Sequence, residues 1–202
     1  MKLYYSPGAC SLAAHIVLRE TGMKFETEKV DLKDKRTSSG ADYMRINPKG
    51  YVPALELDNG NILTEVGVII QYLADQNPEL ALAPKAGTME RYHEMEWINF
   101  ISTEIHKTFS PLWKPDTPEQ TRQNQKTLLA ARLDYLAGQL KGKQYLMGEN
   151  FTVADAYLYT VLNWSGMLKF DLAPWPILET FMARIATRAA VVATLKAEDL
   201  VN

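Results

Sequence analysis

The sequence predicts an α/β domain followed by an all-helical one, and three observations carry that prediction. Short apolar stretches alternate with helical patterns over the first 80 residues. A proline-bracketed segment from Pro78 to Pro84 follows, and beyond it strand signals vanish while long helical periodicities remain. The expected boundaries are an α/β domain over 1–80, a linker over 81–87 and a helical domain over 88–202.

Lys2 to Tyr5 reads as a short strand that turns at Ser6-Pro7-Gly8. A helix follows from about Cys10 to Thr21, with Leu12, Ile16 and Arg19 on neighbouring turns and Gly22 as its stop. Phe25 to Leu32 reads as a second strand. Asp34 to Asn47 is polar and irregular, with one helical turn near Asp42–Arg45. Val52–Leu57 and Asn61–Thr64 flank Asp58-Asn59-Gly60, and Asn-Gly between apolar runs is a strong hairpin signal. A helix from about Glu65 to Gln76 closes the first domain. The second is filled by helical patterns over Thr88–Leu112, Pro118–Leu140, Val153–Leu168 and Ile177–Leu195. Pro111, Pro115, Pro118, Gly142, Gly148, Pro174 and Pro176 punctuate them.

Composition narrows the function. Of 202 residues 47% are apolar and 23% charged, the balance of a folded protein with a substantial core. A net charge of -2 offers no general attraction to phosphate backbones or anionic lipid, so nucleic acid and membrane are not expected partners. The apolar start is too short for a signal peptide, and no segment nears the roughly 20 apolar residues of a membrane helix. One cysteine excludes an intramolecular disulfide, and a cytoplasmic location is the expectation. One cysteine and three scattered histidines give no metal-ligand pattern, so no metal is expected.

Cys10 stands where a strand ends and a helix begins. Unpaired backbone N–H groups and the positive helix end favour a thiolate there, and a free thiol's pKa of about 8.5 falls in such settings. The alternative is a small buried hydrophobe. No second cysteine follows three residues on, so a reactive Cys10 would exchange with an external thiol. A cis bond at Val52-Pro53 would turn the Val52 main chain outward to pair an extended peptide-like ligand; a trans proline opening an edge strand is the alternative. Glu65 opens a helix, where a carboxylate either complements the dipole or meets a ligand amine, with the Val66 N–H gripping a carboxylate. Asn99, Thr103 and His106, spaced by four and three, share a helix face. Such a polar stripe is either solvated surface or a set of groups facing a thiol, with His106 donating a hydrogen bond to a thiolate or helping a thiol lose its proton.

These residues sit in recognisable stretches. Tyr4-Tyr5-Ser6-Pro7-Gly8-Ala9-Cys10-Ser11 and Asn47-Pro48-Lys49-Gly50-Tyr51-Val52-Pro53-Ala54-Leu55 resemble the start and the cis-proline segment of bacterial beta-class glutathione S-transferases. Leu63-Thr64-Glu65, Ile70-Gln71-Tyr72-Leu73-Ala74, Glu96-Trp97-Ile98-Asn99-Phe100, Thr103-Glu104-Ile105-His106-Lys107 and Phe151-Thr152-Val153-Ala154-Asp155 are similar to further segments of the same family. The resemblance covers essentially the whole chain. It implies the cytosolic glutathione transferase fold: a thioredoxin-like N-terminal domain and an all-α C-terminal domain that contributes the second-substrate site.

It implies glutathione as co-substrate, a hydrophobic electrophile as second substrate and a homodimer. Cys10 would lie against the glutathione sulfur and form a mixed disulfide with it. Lys35 would pair the glycyl carboxylate, Val52 before Pro53 would bond the cysteinyl unit, and Glu65 with the residue-66 amide would hold the γ-glutamyl end. Asn99, Thr103, Glu104 and His106 would approach from the helical domain, with Asn99 and His106 nearest the sulfur. Many family members carry serine after the glutamate, where this chain has Val66. Conjugation of electrophiles is the expected activity, with peroxide reduction or thiol–disulfide exchange through Cys10 beside it. Reductive dehalogenation, or non-catalytic carriage of apolar ligands, are the rival readings.

Overall fold

The N-terminal sheet grows outward from β1 (Lys2–Tyr5). In it Leu3 and Tyr4 point to opposite faces, and both are buried, so the sheet is covered on both sides. α1 (Ser11–Thr21) carries the chain to β2 (Glu26–Asp31), which pairs parallel to β1 with Leu3 opposite Thr27. Two residues, β3 (Arg36–Thr37), then pair antiparallel with β2. β4 (Ala54–Glu56) and β5 (Ile62–Thr64) form the hairpin around Asp58-Asn59-Gly60, closed by the Leu57 N–H on the Asn61 carbonyl at 2.9 Å. The result is a five-stranded sheet in the order β3-β2-β1-β4-β5, followed by α2 (Val66–Asp75). The computed structural model describes residues 1–201.

Two departures from the sequence reading of the sheet have simple causes. β3 was read as irregular because a two-residue polar edge strand carries no periodicity. The strand expected over Val52–Leu57 starts only at Ala54, leaving Val52 and Pro53 outside the ladder. α1 is buried all round: Ser11 through Leu18 are all buried, because the helix packs against β1, α2 and a helix from the C-terminal end of the chain. Its small and apolar sequence, Ser-Leu-Ala-Ala-His-Ile-Val-Leu, suits that position. Gly22, at φ 67°, ends it in the left-handed conformation, as the glycine suggested.

By its contacts the chain forms two units, one of residues 1–83 together with those from Thr187 onward, the other Pro84–Ala186. The sequence reading left the C-terminal segment in the helical domain. The helix expected over Ile177–Leu195 is in fact two, α8 (Pro176–Ala186) and α9 (Ala189–Ala197). Extended backbone at Arg188 separates them, and its guanidinium donates to both carboxylate oxygens of Glu20 in α1.

The second unit contains α3 (Met89–Phe100), a π turn over Ile101–His106, α4 (Lys107–Phe109), α5 (Glu119–Gln139), α6 (Val153–Leu162) and α7 (Trp164–Met167), besides α8. Every residue of α6 is buried. Its start is fixed by Asp155, whose carboxylate accepts the N–H groups of Leu146 and Thr152 at 2.8 Å each, completing the capping box expected from Thr152 and Asp155.

In the first unit a fully buried carboxylate plays a comparable part. Glu198, the C-cap of α9, pairs with His15 Nδ1 at 2.8 Å and accepts the Gly8 N–H at 3.0 Å. Glu198→Ala strands both of those polar groups in the interior. Each stranded group costs about 1–3 kcal/mol, so urea unfolding is expected to show a loss of about 2–6 kcal/mol. A loss under about 0.5 kcal/mol would show that the network does not hold the unit together.

Candidate functional site

The mouth of α1 is built by a loop with few degrees of freedom. Gly8 adopts φ 70°, which favours glycine, and its N–H is held by Glu198. The Ser11 hydroxyl bridges the Ser6 carbonyl and amide at 3.2 Å each, and the Ala9 N–H returns to Ser6 O at 3.0 Å. This loop presents Cys10 as the N-cap residue of α1, half-buried, with no side-chain capping bond. Its thiol instead donates to the Val52 carbonyl at 3.1 Å. Two residues that the sequence reading placed apart are thereby brought together.

The Val52-Pro53 bond is cis, which the sequence left open. The segment before it is braced from beneath. The Tyr51 carbonyl accepts both the Tyr43 hydroxyl at 3.0 Å and the Asn47 side-chain amide at 2.7 Å. Tyr43 is fully buried and packs with Tyr4, Val30, Val52 and Ala54. Its phenol is pushed up to about 12, first by burial, with charge on the nearby Cys10 adding to it and the Asn47 bond opposing. Lys35, at φ 55°, reaches the same segment and donates to the Gly50 carbonyl at 2.6 Å.

Glu65 caps α2 with φ 70° and ψ 115°, a conformation non-glycine residues rarely adopt and one that costs of order 1–3 kcal/mol. Its carboxylate accepts Lys49 Nζ at 2.5 Å and the Tyr51 hydroxyl at 2.7 Å. The bond to Glu65 raises the Tyr51 phenol, with smaller contributions from desolvation and from the carboxylate charge. Val66, buried, begins the helix next to it. Cys10, Lys35, Val52, Pro53, Glu65 and Val66 therefore all belong to the first unit, Cys10 and Glu65 with Val66 at the starts of α1 and α2, Lys35 between β2 and β3, and Val52 and Pro53 just before β4.

Asn99, Thr103, Glu104 and His106 belong to the second unit, and the structure gives them different partners. The uninterrupted helix expected over Thr88–Leu112 contains the π turn, marked by the Lys107 N–H on the Ser102 carbonyl, five residues back. Hydroxyls satisfy carbonyls around it: Thr103 donates to Asn99 O at 3.1 Å and Thr108 to Glu104 O at 2.7 Å. Asn99 is exposed and lines a cleft of about 620 Å³ with Trp97, Phe100 and Tyr135. Glu104 pairs with Arg132 of α5 at 2.7 Å. His106 ends the π turn, half-buried, with Nδ1 at 2.7 Å from the Tyr157 hydroxyl and its ring edge-on to Trp164 at 4.8 Å. Phe109 and Trp113 also pack on Trp164.

Sequence reasoning missed several of these groups. Tyr43, Lys49 and Tyr51 fall in or beside segments already singled out, but their roles depend on long-range bonds. Tyr157 lies inside an apolar helix and carried no signal.

Residues 8–76 match the glutathione S-transferase N-terminal domain family, and residues 100–189 its C-terminal domain family. Glutathione S-transferase GstA of Escherichia coli O157:H7 is 48% identical over 99% of this chain and 100% of its own. A sphingomonad glutathione S-transferase solved with glutathione aligns at a TM-score of 0.96 and 45% identity over the whole of both chains. The beta-class enzyme of Sphingomonas chungbukensis gives the same figures. On the fold, the cis-proline segment and these full-length likenesses together, the chain belongs to the glutathione S-transferase family, among its bacterial beta-class members.

Proposed function

We propose that this transferase binds reduced glutathione along the Val52-Pro53 segment of the first unit and transfers its sulfur to hydrophobic electrophiles. The single observation that carries this reading is the Cys10 thiol bonded to the Val52 carbonyl, beside main chain that stands outside the sheet ladder. A tripeptide thiol added there as a short strand lies next to Cys10. Lys35 pairs its glycyl carboxylate, and the amide of Val66 its γ-glutamyl carboxylate. The γ-glutamyl ammonium exchanges with Lys49 on Glu65, so that carboxylate keeps a cationic partner in both states.

In conjugation the glutathione thiol gives up its proton and the sulfur attacks an electrophilic carbon, displacing a leaving group. The positive end of α1 and donors at Cys10, Asn99 and His106 stabilise the sulfur charge, and the proton passes to solvent water. Thr103 and Glu104 complete the contribution of the second unit. In thiol–disulfide exchange, Cys10 attacks one sulfur of a disulfide, forms a mixed disulfide and releases the other half as a thiolate. Peroxide reduction is a further outcome for the same thiol. A symmetric homodimer in the cytoplasm is the proposed working form, supported by kinship with the family. No described helix is long and apolar enough to cross a membrane.

Replacing Cys10 separates the two chemistries. In Cys10→Ala, glutathione-dependent turnover of an activated aryl chloride is expected to survive in part, while reduction of a mixed disulfide by glutathione is abolished. Undiminished exchange in that variant would contradict the role given to the thiol. The second expectation concerns Val66, which supplies an amide but no hydroxyl. Val66→Ser is expected to tighten glutathione binding about two- to tenfold, the worth of one added hydrogen bond. Calorimetric titration showing no gain would remove that account of residue 66.

A further inference from the structure

The pairing of His106 with Tyr157 carries an inference that rests on the sulfur-facing role proposed for His106. A neutral imidazole has one N–H and one bare nitrogen, and the hydrogen bond made by one nitrogen decides what the other presents. Here Nδ1 lies 2.7 Å from the Tyr157 hydroxyl. The phenol is the more acidic partner, so the stronger form of this bond has the O–H donating and Nδ1 accepting. The proton of the imidazole then resides on Nε2.

The phenol is well placed to impose that choice. Tyr157 is fully buried in α6, a helix with every residue buried and its first turn fixed by the Asp155 carboxylate. His106 stands instead at the end of a π turn, where the helix is locally rewound, and is half-buried. The tyrosine ring meets the imidazole edge-on at 5.9 Å and 86°, and Trp164 meets it at 4.8 Å and 76°. A rigid ring, a donor and an aromatic wall thus restrain the rotation of a side chain borne on the less regular segment.

We propose that Tyr157 is a positioning residue: its hydroxyl fixes His106 in the Nε2–H tautomer and in one ring orientation, so that Nε2–H serves as a hydrogen-bond donor to the glutathione thiolate and not as its base. The competing account is that the bond merely satisfies a buried phenol, and the two differ in what Tyr157→Phe does.

The decisive experiment combines long-range ¹H–¹⁵N correlation spectra of the histidine-labelled full chain with steady-state kinetics. The wild type is expected to show His106 as a single Nε2–H tautomer, and Tyr157→Phe a tautomer average. The same variant is expected to lose about tenfold in kcat, the scale on which an outer partner of a working histidine acts, with KM for glutathione unchanged. In the His106→Ala background, Tyr157→Phe is expected to add no further loss. An Nδ1–H tautomer in the wild type, or a Tyr157→Phe spectrum and kcat equal to wild type, would overturn the proposal. Full turnover in His106→Ala would instead overturn the role of the histidine itself, while the spectrum still reports on the pairing.

Discussion

The first unit depends on one buried carboxylate. Glu198, contributed by the C-terminal end of the chain, holds the Gly8 amide and the His15 ring and so ties the loop before α1 to the helix itself. A lone carboxylate in such an interior is costly, and its stability rests on the two partners it satisfies. The consequence reaches Cys10, two residues beyond Gly8, whose thiol must meet the Val52 carbonyl. The bidentate Arg188–Glu20 pair clamps the same returning segment onto the region of α1. The C-terminal helix is therefore part of the machinery that positions the thiol, although it lies almost two hundred residues away in sequence.

Around that point the unit concentrates its conformational cost. Glu65 and Lys35 both adopt positive φ, and the Tyr51 carbonyl collects two donors, from Tyr43 and Asn47. Strain of this kind persists only where the surroundings over-determine it, and it gathers where a ligand must be met by backbone at a set angle. The second unit has a related device. Around its π turn the hydroxyls of Thr103 and Thr108 each donate to the carbonyl four residues back. The turn ends on His106, so the irregular stretch coincides with the side chain given a chemical role.

Much of this was legible in the amino-acid order. The strand–turn–helix at Cys10, the Asn-Gly hairpin, the Gly22 stop and the Thr152–Asp155 cap are local signals, and each corresponds to a feature of the fold. What escaped is what local signals do not encode. The π turn in Ile-Ser-Thr-Glu-Ile-His has no residue that announces it, and the split between α8 and α9 lies in an unbroken helical pattern. Glu198 and Tyr157 acquire their significance only through partners 190 and 51 residues distant. Cys10, Val52-Pro53, Glu65 and Val66 stood out by their places at helix starts and before a proline, and Lys35 through the family resemblance; the tyrosines that support them did not.

The account turns on the Cys10 sulfur being reachable by a tripeptide thiol bound beside it in the folded protein. Intact-mass analysis with peptide mapping after exposure to oxidised glutathione tests this most directly. The expected result is one glutathionyl adduct, on the peptide containing Cys10, formed by the native protein and removed by reduced glutathione. A native protein that stays unmodified, and gains the adduct only after unfolding, would contradict it.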